Sequence, residues 1–174
     1  MLASGLPSRP PITWGAATPL ICPPESLGRI VDSLYLHFLG RQSDSGGRAG
    51  WISALQNGAT LESIETGFLT SPEYLHHINT DFVQSLYINL LGRTGGATEL
   101  AFWDNQIQTI GLAGVANGFV LSQEYRNDNI NADFQTFVHR PGFPSDFNTF
   151  GPLQTDLLGL EAAILSSPAN LNFA

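Results

Sequence analysis

The segment SLYLHFLGR, Ser33 to Arg41, returns fifty-two residues later as SLYINLLGR, Ser85 to Arg93. A chain that repeats itself at such a distance folds as repeated supersecondary units, because one unit alone cannot bury its apolar face. IVDSLYLHFLGRQSDSGGRAGW (Ile30 to Trp51) lies over FVQSLYINLLGRTGGATELAFW (Phe82 to Trp103) without a gap. After a one-residue deletion, GFLTSPEYL (Gly67 to Leu75) lies over GFVLSQEYR (Gly118 to Arg126). A degenerate third copy follows. DFQTFVHR (Asp133 to Arg140) is similar to the opening helix and LEAAILSSPANL (Leu160 to Leu171) to the closing one. The link between them, PGFPSDFNTFGPL, is too rich in Pro and Gly to be a clean copy.

Each copy reads as a set of helices. Ile30, Val31, Leu34, Tyr35, Phe38 and Leu39 follow the i, i+3, i+4, i+7 spacing that puts one apolar stripe on a helix. Gly40 stands where a left-handed residue ends a helix without a Cβ penalty. Asp44 and Ser45 are cap residues for a second helix, which carries Trp51 and Leu55 and stops at Asn57-Gly58. Thr60 caps a third helix, with Ile64, Phe68 and Leu69 inward. Ser71-Pro72-Glu73 opens a fourth: serine caps, proline takes the first turn, and glutamate sits at the positive end of the dipole. No segment shows continuous strand-type alternation. The expectation is an all-α chain of tandem helical repeats. It has an extended Pro-rich arm over 1–25, four-helix units over 26–79 and 80–131, and the degenerate third over 132–174.

Packing explains why the doubled words keep their letters. Tyr35, Trp51, Phe68 and Tyr74 fall one to each helix, so each helix contributes one large aromatic to a shared core. Tyr87, Trp103, Phe119 and Tyr125 repeat the set. Tyrosine and tryptophan carry a polar atom that needs a partner when buried. Arg41 follows the helix-ending glycine, where its donors can reach free carbonyls and a carboxylate. Glu73 is that carboxylate, since the pair returns as Arg93 and Glu124. Both expected contacts, Arg41 with Glu73 and Arg93 with Glu124, fasten the end of a first helix to the start of a fourth.

The charge balance narrows the partners. Seven arginines and no lysine face fifteen acids, for a formal net charge of −8 and a pI near 4.7. That argues against nucleic acid, which needs a basic face to neutralise phosphates. Cys22 stands alone, so neither an intramolecular disulfide nor a cysteine-based metal site can form. No apolar run reaches the roughly eighteen residues of a membrane helix. MLASGLPSRPPITW lacks the charged-then-apolar order of a signal peptide. His37, His76, His77 and His139 have no metal-ligand spacing, and no HExxH, GxSxG, Walker or dinucleotide pattern occurs. Gly92 to Gly96 precede a helix but lack the lysine and the strand of a phosphate loop. Glu62 with Glu65, and Asp128 with Asp133, read as solvated acids, with weak calcium binding as the alternative; no other cofactor is expected.

The order SLY-x-x-x-LGR, a glycine-bearing turn, tryptophan and GFL-x-SPEY, written twice, closely resembles the DUF4214 family, a helical repeat of unassigned function. Ile30 to Leu75 and Phe82 to Arg126 carry the resemblance. That family itself resembles the linker-polypeptide domain of phycobilisomes. The resemblance implies a module for assembly or adhesion in secreted, surface-associated or virion proteins, not a catalyst. Two departures stand out. The family's Asp-Pro-x-Gly turn is SDSGG in the first copy and TGGAT in the second, which has no acid. Phycobilisome linkers are basic whereas this chain is acidic, so a role with phycobiliproteins does not carry over.

The flanks differ from the repeats. Residues 1–25 hold Pro7, Pro10, Pro11, Pro19, Pro23 and Pro24 among Ile12, Trp14, Leu20 and Ile21. Proline bars helix and favours an extended chain, yet this arm carries apolar side chains that seek a groove. Phe143, Phe147 and Phe150 read as a loop, and a short helix follows from about Thr155 to Ser166. Repeats stacked in one direction have unlike ends, and head-to-tail contact between unlike surfaces builds open fibres. The leading expectation is therefore a non-enzymatic subunit of an extracellular or cell-surface filament, matrix or layer. It associates with copies of itself, or with other structural proteins, through arm exchange and head-to-tail packing. The alternatives are a glycan- or matrix-binding module, with Trp14 or Phe143 as the sugar-facing ring, and a virion structural protein. Stacking on sugars is the other role open to Trp51 and Trp103, but recurrence at one place in each unit points to core. An enzyme needs convergent ionisable groups, and no pair is singled out.

Overall fold

The structure, a computed structural model, describes residues 24–153 and 155–167. Residues 1–23 of the N-terminal arm, with Trp14 and Cys22, and the end of the third copy lie outside the described residues; Pro24 and Glu25, read as the end of the extended arm, instead open the first helix, since proline suits a first turn. Among the described residues all regular structure is helical. Helices α1 (Pro24–Leu39), α2 (Ser45–Gln56), α3 (Leu61–Leu69) and α4 (Pro72–His77) make the first unit. The second is α5 (Phe82–Leu91), α6 (Ala97–Val120) and the start of α7 (Gln123–Phe137). The end of α7, α8 (Pro144–Phe150) and α9 (Leu157–Leu165) make the third.

The boundaries follow from caps. Gly40 and Gly92 both take φ 63°, ending α1 and α5 in the left-handed region that a Cβ disfavours. The Asp44, Thr60 and Ser71 side chains accept from Gly47 N, Ser63 N and Tyr74 N, opening α2, α3 and α4. In the second copy the α2–α3 turn has collapsed. Gly111, at the position of Thr60, breaks α6 with φ 71° and ψ 176°, so one long element stands for two.

The third copy keeps more of the pattern than its spelling suggests. Arg140 lies over the Phe134 ring at 4.6 Å, as Arg41 lies over Tyr35 at 4.8 Å and Arg93 over Tyr87 at 4.6 Å. The stretch read as a loop around Phe147 and Phe150 is helix α8. Pro144 opens it, and Asp146 accepts from the Phe143 N–H, so a Pro-rich segment still starts a helix. His139 stands where the other units have glycine and is held at φ 56°. An L side chain there is strained, so His139→Gly is expected to stabilise the protein by about 0.5–1 kcal/mol. A thermal melt should rise by about 2–3 °C; an unchanged or lower Tm contradicts the strain.

The units close on one another. Helix α3 sits centrally and touches α1, α4, α6 and α9. Thr66 Oγ1 lies 3.1 Å from Asn117 Oδ1, and His37 Nε2 donates to the Asn89 carbonyl at 3.1 Å. Thr66 and Asn117 occupy equivalent positions in the two copies, as do His37 and Asn89. The same face of α3 and of the second half of α6 is buried, with Ile64, Glu65, Phe68 and Leu69 matching Val115, Ala116, Phe119 and Val120. Like patches therefore meet, as in an isologous pair. The third unit then returns to the first, where the Leu157 N–H donates to Glu62 Oε1 at 2.9 Å. One continuous core results, running from Leu27 through Leu86 to Ile164.

Candidate functional site: the arginine junctions and the buried acids

The first junction is built where α1 ends. The αL turn at Gly40 throws Arg41 back over the Tyr35 ring, and its guanidinium forks onto Glu73 at the start of α4. Nε and Nη2 donate to the two carboxylate oxygens, the latter at 2.7 Å, while Nη1 donates to the Gln42 carbonyl at 2.9 Å. Asp44 stands 3.6 Å away. Arg48 and Ser43 meet on Asp32 at 2.9 and 2.5 Å, tying α2 to α1.

The second junction repeats the design with an extra acid. Arg93 donates to Glu124 at 2.6 and 3.0 Å and to Glu99 at 2.9 and 3.1 Å. Glu99 also accepts from the Gly96 N–H at 2.8 Å, so it caps α6 as well. The sequence pairs Arg41 with Glu73 and Arg93 with Glu124, and both pairs form. Glu99 is a residue that reading missed; its signal was its place three residues after Gly96, where a glutamate caps.

The aromatic set converges as the packing reading requires. Phe68 has Tyr35 edge-on at 4.9 Å and Trp51 stacked at 5.1 Å; Phe119 has Tyr87 at 4.8 Å and Trp103 at 5.0 Å. Burial pushes the Tyr35 and Tyr87 hydroxyls up, while hydrogen bonds with Trp51 and Trp103 pull the other way. Gly67 and Gly118 make room for the indoles, since a Cβ on either would lie 2.7 Å from the tryptophan Cη2. Tyr74 is fully buried. Its hydroxyl donates to Ser85 Oγ at 3.1 Å and accepts from Asn89 at 2.8 Å, and burial raises its pKa. Tyr125 reaches across instead, donating to Glu65 at 3.0 Å.

The acids read as solvated are a correction. Glu62, Glu65 and Asp133 are buried, with relative exposures of 5 %, 1 % and 8 %. Glu62 and Glu65 lie on the α3 face that meets the other two units, so their partners come from Leu157 and Tyr125 rather than from water. Asp128 stays exposed. Among the described residues no group of three or more His, Cys, Asp or Glu is placed to hold a metal ion. Arg126 was missed too, although it stands where the first copy has Leu75. It donates to the Gly151, Leu153 and Thr155 carbonyls at 2.9, 2.8 and 3.0 Å, clamping the turn before α9.

These groups set opposing pH dependences. Burial raises Glu62, and nearby Asp156 adds to it against the pull of the Leu157 N–H and Arg126. Folded protein thus holds this proton more tightly than unfolded chain. Its stabilisation is complete below the ordinary glutamate value and is lost as pH rises through the folded one. Glu99 runs the other way. The Arg93 hydrogen bond, then the Gly96 N–H, bring it to about 2, so its stabilisation is present above the ordinary value and lost as pH falls toward 2. Of the pair, Glu62 favours mild acid over neutrality and Glu99 favours mild over strong acid, while His37, lowered by burial, opposes acid. Glu62→Gln keeps the oxygen that accepts from Leu157 and removes the charge. Melts across pH should show E62Q more stable than the parent near neutrality and level with it at about pH 4. A constant offset at every pH would reject the assignment.

No helix of the described residues is long and apolar enough to cross a membrane. No curated protein and no solved structure matches the chain. A family model described as a domain of unknown function, DUF4214, matches twice, over residues 28–78 and 74–129. Those spans cover the two units whose junctions are built alike, and the chain belongs to the DUF4214 family.

Proposed function

We propose that the chain is a non-enzymatic assembly module, a self-associating subunit of an extracellular or cell-surface filament, matrix or layer. One observation carries the reading. Leu36, Phe102 and Leu121 remain outward with relative exposures of 56 %, 55 % and 65 %, in a chain of which only 13 % is charged. The arginines support it, because Arg41, Arg93 and Arg126 are spent on holding helix ends rather than on converging toward a cleft. While the units stay closed on each other within one chain, contact between copies falls to the outer surface and to the arm over 1–25.

A glycan-binding reading needs an aromatic face open to solvent. Trp51 and Trp103 spend one face on Phe68 and Phe119, whereas Phe143, with Arg140 4.4 Å over its ring, and Phe102 keep exposed area. Light scattering behind size exclusion, with negative-stain images, tests the assembly reading with and without calcium. Growth of the assembled fraction with concentration supports it; monomer at every concentration sinks it. Removing residues 1–25 is expected to abolish the assembly, and intact assemblies from that truncation would take the arm out of the mechanism.

A further inference from the structure

The two joints between units are built differently. Between the second and third units the chain runs on as α7, a single helix from Gln123 to Phe137. Between the first and second it breaks. Ile78 ends α4 in extended backbone, and Asp81 opens α5 by accepting from the Gln84 N–H at 2.7 Å. Tyr125 and Phe134 are four residues closer in sequence than their counterparts Tyr74 and Tyr87, and Ile78, Asn79, Thr80 and Asp81 are four residues. The same pair of helices therefore exists in this chain both bent and straight, and the four residues decide which.

The residues of the bend itself face outward, while Tyr74, Ser85 and Asn89 bridge it from within. Asn79, Thr80 and Asp81 are exposed, and a cavity of about 270 Å³ is lined by Asn79 and Thr80 together with His37, Tyr74, Ser85 and Asn89. The first unit is kept folded back by its contacts with α5, α6, α7 and α9: Tyr74 meets Ser85 and Asn89, His37 meets Asn89, Thr66 meets Asn117, Glu65 meets Tyr125 and Glu62 meets Leu157. Another copy carries the identical first unit, so its α3 can take the same place without a new surface.

We propose that residues 78–81 are a hinge about which the first unit, α1 to α4, exchanges between copies of this chain. The inference rests on the assembly reading and adds a second contact between copies to that of the arm. A tethered first unit competes at a local concentration on the order of millimolar, so the closed monomer dominates until crowding or a straighter hinge favours the exchanged form. Reciprocal exchange gives a closed dimer. Run-on exchange, each copy lending its first unit to the next, gives an open chain.

Two chains test this, both in a Cys22→Ser background: one carries Thr66→Cys, the other Asn117→Cys. They are mixed at high concentration and treated with a short bifunctional thiol reagent. Exchange brings position 66 of one copy against position 117 of the other, so covalent dimer is expected in the mixture and in neither chain alone. Replacing Asn79, Thr80 and Asp81 with alanine removes the α5 cap and favours a straight helix. The dimer yield should then rise about fivefold, the population change that corresponds to one lost cap. Should that variant fold poorly, a Gly-Ser insertion after Thr80 relaxes the hinge instead and is expected to lower the yield. Assemblies without the 66–117 product would overturn the exchange while leaving the assembly reading standing. Monomer in every variant would overturn both.

Discussion

Phe68→Ala is expected to lower the unfolding free energy by about 3–5 kcal/mol, the usual cost of emptying a buried aromatic site. The ring is 2 % exposed and packs against Tyr35, Trp51 and Phe38, the last at 6.2 Å, so its removal strips partners from α1 and α2 at once. Domains of this size are stable by only about 5–15 kcal/mol, so the variant should sit near the edge of folding. Phe119→Ala should lose a comparable amount, because Tyr87 and Trp103 frame it in the same way. Phe102→Ala is the control. That ring faces solvent, and its loss should fall within about 0.5 kcal/mol. Urea denaturation with tryptophan fluorescence separates the three; equal losses at Phe68 and Phe102 would remove the aromatic core as the organising contact.

Arg126→Ala carries the second large effect, about 2–4 kcal/mol, because three carbonyls of one turn lose a charged donor together. The loss should be local. Hydrogen exchange is expected to quicken over α8 and α9 while the amides of α1 and α2 keep their protection. Arg126→Lys should rescue little, since a single ammonium cannot span acceptors that a planar guanidinium reaches with separate nitrogens. Uniform loss of protection along the chain would place Arg126 in the general core rather than at the third unit's anchor.

Much of this was legible in the letters. Glycine after an apolar stripe, Asp44, Thr60 and Ser71 before the next helices, and the recurrence of arginine with glutamate are local or repeated signals, and each has a short-range physical cause. The errors share another origin. Glu62 and Glu65 look solvated because charge inside an apolar stripe is normally turned outward. Glu62 finds its donor ninety-five residues away on α9, a contact no local pattern encodes. Helix α8 was hidden by prolines and glycines whose breaking tendency is neutralised when proline falls in the first turn. Arg126 and Glu99 left visible traces, one a departure from the repeat and the other a cap spacing. The meeting of like faces left none, because a period fixes what recurs without fixing how the recurring parts are turned.

Guanidinium at every cationic joint has a practical consequence. Amine-directed labels, fixatives and cross-linkers find no side chain to attack on this protein, and strong alkali that would neutralise an ammonium leaves these fasteners charged. A coat or fibre made from such subunits would be expected to keep its seams where lysine-bonded material comes apart.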